Sequence, residues 1–288
     1  MMRKNILIIG ETGFIGLNLS KFLLTQKNYN VYSLKKVDLT NKNSINYYSN
    51  KLKQNTTIIF LAAVKKQYGD SYEIYEKNTK IYENFKKIIE KSKVVKKIIF
   101  ISSTSVYGED NNLKNIIEED KTYCNSYYGL SKFFGERIIA DTSMKKNIFF
   151  NILRFPLVYG NDDSSSSYGP TGFIKSAYLD KQVYLWGDGT EKREFVYILD
   201  AAKIITKSIN HKKNYIVNVV SGKPSNFLEI INNIKLVNKD FRVKIKKRTK
   251  KKSDHTFNPK LFYKIYSNKF KFTSLSKAIK IMREKYEK

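Results

Sequence analysis

The stretch Asn5-Ile-Leu-Ile-Ile9-Gly10-Glu-Thr12-Gly13-Phe14-Ile15-Gly16 decides the fold. A short apolar run enters three glycines spaced three apart, and Leu17, Leu19, Phe22, Leu23 and Leu24 then follow with helical spacing. The reading is strand, glycine turn, helix. Gly10 lets the chain turn tightly, Gly13 lets backbone N–H groups approach a pyrophosphate, and Gly16 lets the helix pack close to the strand. Such a glycine motif is weak alone, but here it has the required context, after a strand and before a helix. A dinucleotide is the expected ligand, held by Gly10, Thr12, Gly13, Phe14, Ile15 and Gly16.

Outward from this turn, strand-like runs recur at 30–34, 57–62, 97–101, 148–154 and 215–220, separated by segments long enough for helices. That alternation predicts an α/β chain with a Rossmann-type, doubly wound parallel sheet. Residues 161–170, with four consecutive serines, read as a loop, and the regular alternation ends near them. The expected organisation is a dinucleotide-binding domain over 1–160, rejoined by about 190–222. A smaller mixed α/β C-terminal substrate-binding domain is expected from 161–189 and 223–288.

With 41% hydrophobic residues in 288, the chain can bury a substantial core. No run approaches the roughly 18 apolar residues of a membrane span, and Ile6–Ile9 is too short for a secretory signal core, so a cytoplasmic protein without membrane association is expected. The single cysteine, Cys124, excludes an internal disulfide, and His211 and His255 stand too far apart to suggest a metal site. The net charge of +28 resembles a nucleic-acid footprint, but the basic residues are mostly lysines scattered among Asn, Ile and Tyr. Residues 242–252 form the one dense cluster, which reads as a solvated strand and loop able to attract an anionic substrate rather than nucleic acid.

Tyrosine and lysine four apart share a helix face, where the ammonium can acidify the phenol. Four such pairs occur, Tyr32/Lys36, Tyr47/Lys51, Tyr82/Lys86 and Tyr128/Lys132. Only the last follows an apolar run, Lys97–Ile101, that ends in hydroxyls at Ser102, Ser103, Thr104 and Ser105. Near the end of the second predicted strand, where a carboxylate normally binds the adenosine ribose, the chain has Lys35-Lys36. A 2′-phosphate would meet attraction there, so NADP(H) is the preferred cofactor and NAD(H) the alternative.

At this point the chain resembles the extended short-chain dehydrogenase/reductases acting on nucleotide sugars, the NAD-dependent epimerase/dehydratase family. The matching segments fall in order: Gly10–Gly16, Asp38-Leu39, Phe60-Leu61-Ala62-Ala63, Asn78, Ser102–Gly108, Tyr128–Lys132, Arg154–Gly160 and Trp186–Asp200. The resemblance implies Ser103 as the catalytic hydroxyl, Tyr128 as the acid/base and Lys132 as its partner. Chemistry agrees: a tyrosine titrates near 10, so work near neutrality requires a shift of about three units, roughly 4 kcal/mol. The resemblance also puts Asp38, Leu39, Leu61, Ala62, Ala63, Asn78, Phe155 and Leu157 against the cofactor. It makes Arg193 and Arg248 a diphosphate clamp, Lys65 and Thr104 substrate contacts, and a homodimer the expected assembly.

Departures from the family pattern narrow the reaction. The family's 4,6-dehydratases carry Asp-Glu directly after the catalytic hydroxyl, where this chain has Thr104 and Ser105. The 3,5-epimerising GDP-fucose synthase branch needs a Cys at Ser105 and a His that is absent between Gly160 and Ile174. Leu157 replaces the frequent Asn of that segment. Hydride chemistry at one carbon remains: reduction of a 4-keto nucleotide sugar by NADPH is favoured, with 4-epimerisation on retained NAD as the alternative. A dinucleotide sensor or nucleic-acid-binding protein that kept the fold is the non-enzymatic competitor.

Overall fold

The computed structural model describes residues 3–34, 37–109, 112–163, 168–249 and 251–287. Lys35, Lys36 and Lys250 therefore lie outside the described residues, as do the four serines of the predicted loop.

All six apolar runs become strands of one sheet: β1 (Lys4–Ile9), β2 (Tyr29–Tyr32), β3 (Thr56–Phe60), β4 (Val95–Ser103), and the strands Phe149–Phe155 and Tyr215–Asn218. The order across the sheet is Tyr215–Asn218, Phe149–Phe155, β4, β3, β1, β2. β1 pairs in parallel with β2 and β3, and β4 with β3 and Phe149–Phe155. The chain thus starts near the middle of the sheet and reverses direction between β1 and β3, which puts the ligand crevice at the C-terminal ends of these strands.

Helices α1 (Phe14–Leu24), α2 (Asn43–Lys51), α3 (Tyr72–Lys91) and α4 (Tyr127–Lys145) connect the strands. One sheet face packs Leu7, Ile58, Phe60, Ile98, Phe100 and Ile152 against Tyr82, Phe85 and Ile88 of α3 and Ile139 of α4. Phe60 stacks on Phe85 with centroids 3.9 Å apart, and Tyr82 meets Phe100 edge-on at 5.6 Å. Gly135 lets α4 lie flat on this aromatic cluster, since a Cβ there would come within 2.9 Å of Phe100 Cζ and 3.0 Å of Tyr82 Cε2.

The chain divides into two compact units, the first Met1–Gly108, Lys121–Phe155 and Ala201–Val217, the second Glu109–Asp120, Pro156–Asp200 and Asn218–Lys288. The expected boundaries differ at four places, two of them small: the first unit's main segment ends at Phe155 rather than 160, and its returning segment at Val217 rather than 222. Residues 109–120 leave the dinucleotide-binding unit, because the strand Leu113–Ile116 pairs in parallel with His255–Phe257. The return to the first unit comes at Ala201 rather than about 190, because Lys192–Arg193 and Phe195–Tyr197 pair with Ser225–Asn226 and Leu157–Tyr159 of the second unit. The predicted loop also ends earlier than expected, with Pro170 opening the helix Pro170–Leu179, a position where its missing N–H costs nothing. The basic stretch forms an exposed strand, Arg242–Lys246, parallel to Gln182–Trp186, with Lys246 Nζ 3.9 Å from the centre of the Tyr184 ring.

Candidate active site

The glycine turn is built as its spacing requires. Gly10 has φ +95° and lies so close to the end of β3 that a Cβ would meet Ala62 N at 2.8 Å. Gly16 packs on the turn itself, where a Cβ would fall 2.2 Å from Gly10 O. Gly13 differs: its added Cβ would touch only Gly10 O, at 3.4 Å, leaving the space above it open. Gly13 is also the N-cap of α1 and supplies no side-chain acceptor, so the first N–H groups of α1 point outward without a side-chain cap. An anion is the natural partner for such a helix start. Phe14 is buried, Ile15 half-buried and Thr12 exposed. Leu61, Ala62 and Ala63, all half-buried, run past this turn, with Leu61 N donating to Ile9 O at 2.8 Å. Buried Leu39 is fixed by Asn84, whose Nδ2 donates to its carbonyl at 2.7 Å, while exposed Asp38 Oδ1 accepts from Thr40 N.

Asn78 is wholly buried, and its amide is used by Val64 N and O and by Ser131 Oγ, at 2.7, 3.1 and 3.2 Å. It ties the segment after β3 to α4. Lys65, expected as a sugar or phosphate contact, holds its Nζ 5.8 Å from the centre of the Phe14 ring, beside the glycine turn.

Ser103, Tyr128 and Lys132 come from two elements joined at close range. Ser103 ends β4, and its Oγ caps the following turn, accepting from Ser105 N at 3.1 Å and lying 3.0 Å from Ser105 Oγ. Thr104 belongs to this same turn. Ser126 caps α4 by accepting from Gly129 N at 3.1 Å, and Tyr128 and Lys132 occupy its first turns. Gly129 sets the approach: a Cβ there would lie 2.5 Å from Ser105 O, so the helix start sits directly on the serine turn. Lys132 is buried, donates to Ile101 O at 2.8 Å, and lies 5.8 Å from the centre of the Tyr128 ring. Burial lowers its pKa to about 7, with the Glu136 carboxylate opposing the shift. Its charge near neutrality therefore depends on the negative charge brought beside it.

Beneath this set lies a network that sequence reasoning missed. Glu136, one turn beyond Lys132, accepts from Ser102 Oγ at 2.5 Å and from Arg154 Nε and Nη2 at 2.9 and 2.8 Å. Arg154 also donates to Tyr107 OH at 2.6 Å. The bidentate pair is almost wholly buried, with side chains 2% and 4% exposed. Burial alone would pull the Arg154 guanidinium down, but Glu136 and Tyr107 outweigh it and hold its pKa above the ordinary arginine range. Ser102 and Arg154 are register partners on adjacent strands, so the network bolts α4 to the sheet one residue from Ser103. The available signal was an arginine in the apolar run 149–155 and a glutamate in register with Lys132 on α4. Cys124 donates to Val106 O at 3.3 Å, and burial raises its pKa to about 11, so it remains a thiol at neutral pH.

Arg193 and Arg248 lie in the second unit, the first on the strand Lys192–Arg193 and the second just after the strand Arg242–Lys246. Both guanidiniums contact the Glu191 carboxylate. Burial pulls the pKa of Arg193 down, and Glu191 opposes that shift. Phe155 is buried at the end of its strand in the first unit, and half-buried Leu157 belongs to the second. Among the described residues no group of three or more His, Cys, Asp or Glu side chains could hold a metal ion. No described helix is long and apolar enough to cross a membrane.

The model of the NAD dependent epimerase/dehydratase family matches residues 6–220. The chain belongs to that family. A Methanocaldococcus jannaschii protein provisionally named UDP-glucose 4-epimerase is 30% identical over 253 residues, covering 80% of this chain and 81% of its own. Two solved structures share the fold at lower identity. One is UDP-glucose 4-epimerase from Thermotoga maritima with UDP-glucose, with TM-score 0.84, 18% identity and 98% of each chain covered. The other is RMD from Pseudomonas aeruginosa complexed with NADPH, with TM-score 0.84, 16% identity and 99% of each chain covered.

Proposed function

We propose that this protein is a nucleotide-sugar 4-epimerase, working by removal and return of hydride at one ring carbon. The observation that carries the reading is the composition of the site. Ser103, Tyr128 and Lys132 gather where β4 meets α4, and the two positions after Ser103 are hydroxyl-bearing rather than carboxylate-bearing. One proton can be moved here by Tyr128, but dehydration would require a further acid/base pair. The 30% identical relative's name favours epimerisation over reduction, a reversal of the preference drawn from Lys35.

A nicotinamide dinucleotide suits the glycine turn, whose open Gly13 and uncapped α1 start fit a pyrophosphate; when bound it supplies the hydride acceptor and donor. Leu61, Ala62, Ala63, Phe155, Leu157, Asp38 and Leu39 would flank it. Tyr128 would take the proton of the sugar 4-hydroxyl and return it to the same oxygen after the keto sugar has turned its other face, while Ser103 donates a hydrogen bond to that oxygen. Lys132, as a cation, would stabilise the Tyr128 phenolate, and the low cost of discharging it when the phenolate is absent follows from its burial. Thr104 would border the sugar, and Arg193 and Arg248 would receive the diphosphate. A homodimer is the assembly that goes with this reading.

One observation favours a second reading, NADPH-dependent reduction of a 4-keto nucleotide sugar: Lys35-Lys36 stands where NAD-binding chains carry an acid. An assay separates the two. Under the first, UDP-hexoses with substoichiometric NAD yield their 4-epimers without net cofactor change. Stoichiometric NADPH oxidation on a 4-keto-6-deoxy nucleotide sugar, with no UDP-hexose epimerised, would replace the first reading by the second.

A further inference from the structure

One carboxylate holds both Arg193 and Arg248. Arg193 Nη2 donates to Glu191 Oε1, and Arg248 Nη1 donates to Glu191 Oε2 at 2.6 Å, so Glu191 bridges the two guanidiniums. The neighbouring acids are engaged differently. Asp188 is largely exposed, 3.8 Å from Arg248 Nη2, with its oxygens accepting from Thr190 N and Oγ1 at 3.1 and 2.8 Å. Asp254 Oδ1 accepts from Lys192 N at 2.9 Å. The backbone favours the cluster: Gly187, at φ +60°, lets Arg248 lie so near that a Cβ would meet its Nε at 2.8 Å. Ser253 steadies Arg193, accepting from Nη2 at 3.1 Å at its Oγ and from Nη1 at its carbonyl.

Without Glu191, two like charges would share a partly buried site with no common counter-ion. With it, one carboxylate with two oxygens serves two guanidiniums, while Asp188 adds a looser contact to Arg248 and Asp254 and Glu109 act on Arg193 from further away. A diphosphate diester offers two negative charges and several oxygens, a better match to two planar guanidiniums. A monoanion offers nothing that Glu191 does not already provide.

We propose that Glu191 is an internal stand-in for the substrate diphosphate: it keeps Arg193 and Arg248 together while the site is free, and the diphosphate displaces it on binding. The proposal rests on the reading of the two arginines as the diphosphate clamp, and adds that Glu191 sets its selectivity. Dianionic nucleotides exchange with the carboxylate favourably, and monoanions do not. Glu191 also speeds product release, because it recaptures the guanidiniums as the diphosphate leaves.

The test is calorimetric titration of the whole chain with UDP and, separately, inorganic pyrophosphate. Glu191→Gln, which keeps the shape and drops the charge, tightens both ligands by about tenfold at low salt and by less at high salt. Glu191→Asp, which keeps the charge, stays near the parent. Arg248→Ala weakens both by about tenfold or more. Unchanged or weaker binding by Glu191→Gln, with Arg248→Ala impaired, overturns the stand-in and leaves the clamp. Unchanged binding by Arg248→Ala overturns the clamp itself. Thermal melts give a second readout: the UDP-induced rise in Tm is larger for Glu191→Gln than for the parent, and an equal or smaller rise contradicts the proposal.

Discussion

Glu136 and Glu191 each hold arginine, but in settings that differ in exposure and in how many guanidiniums share the carboxylate. The Glu136–Arg154 pair is 2% and 4% exposed, bidentate, and completed by Ser102 and Tyr107. The Glu191 cluster is 15–24% exposed, and its carboxylate is split between two guanidiniums. A fully buried pair with every partner fixed cannot exchange with solvent or ligand, so it serves as a frame. A partly exposed carboxylate shared by two cations can be replaced by a better anion, so it serves as a receiver. The first unit holds its buried pair rigidly, and the second keeps its charge available.

Breaking each pair in the same way sharpens this contrast. Glu136→Gln leaves Arg154 charged and underpaired in the interior, and should cost about 3–5 kcal/mol of stability. Glu191→Gln, in a more solvated cluster, should cost about 1 kcal/mol or less. Chemical denaturation of both variants measures the gap; similar losses would erase the distinction between frame and receiver.

Within the rigid region, Tyr128→Phe removes one hydroxyl without touching the frame. Turnover should fall about 10²-fold or more while dinucleotide affinity and Tm stay near the parent. Steady-state kinetics alongside cofactor titration separates this from a folding defect, and retained turnover would dismiss Tyr128 as the acid/base.

A smaller effect comes from pH. Lys132 titrates near 7 in the folded chain, below its ordinary value of 10.5, so between those pH values the unfolded chain binds the extra proton. Stability from this residue therefore rises with pH across that window, and below pH 7 the full penalty of burying the cation is present. Lys132→Met should raise the Tm of the cofactor-free protein most at pH 6 and progressively less toward pH 10. Lys97, also lowered to about 7 by burial, is common to both proteins and cancels in the difference. A Tm difference independent of pH would contradict the buried-cation account.

Most of the first unit was legible because its signals are local. Each of the six apolar runs is a contiguous strand, and the glycine turn and the Tyr128–Lys132 spacing lie within a few residues. What escaped was set by contacts distant in sequence. The strand Leu113–Ile116 finds its partner at His255–Phe257, so no local pattern could assign it to the second unit. Glu136 and Arg154 look like stray charges in apolar elements until the helix is laid on the sheet. Asn78 gave no local sign of its bonds to Val64 and Ser131, which join segments 14 and 53 residues away.

The central claim is hydride chemistry confined to one sugar carbon, because Thr104 and Ser105 offer no carboxylate to act on the neighbouring carbons. Turnover of UDP-hexoses with NAD in D2O, followed by NMR of the product, tests it most directly. The account predicts a 4-epimer carrying no deuterium at carbon 3 or carbon 5. Deuterium at carbon 5 with loss of water, or at carbons 3 and 5 with inversion there, would contradict it.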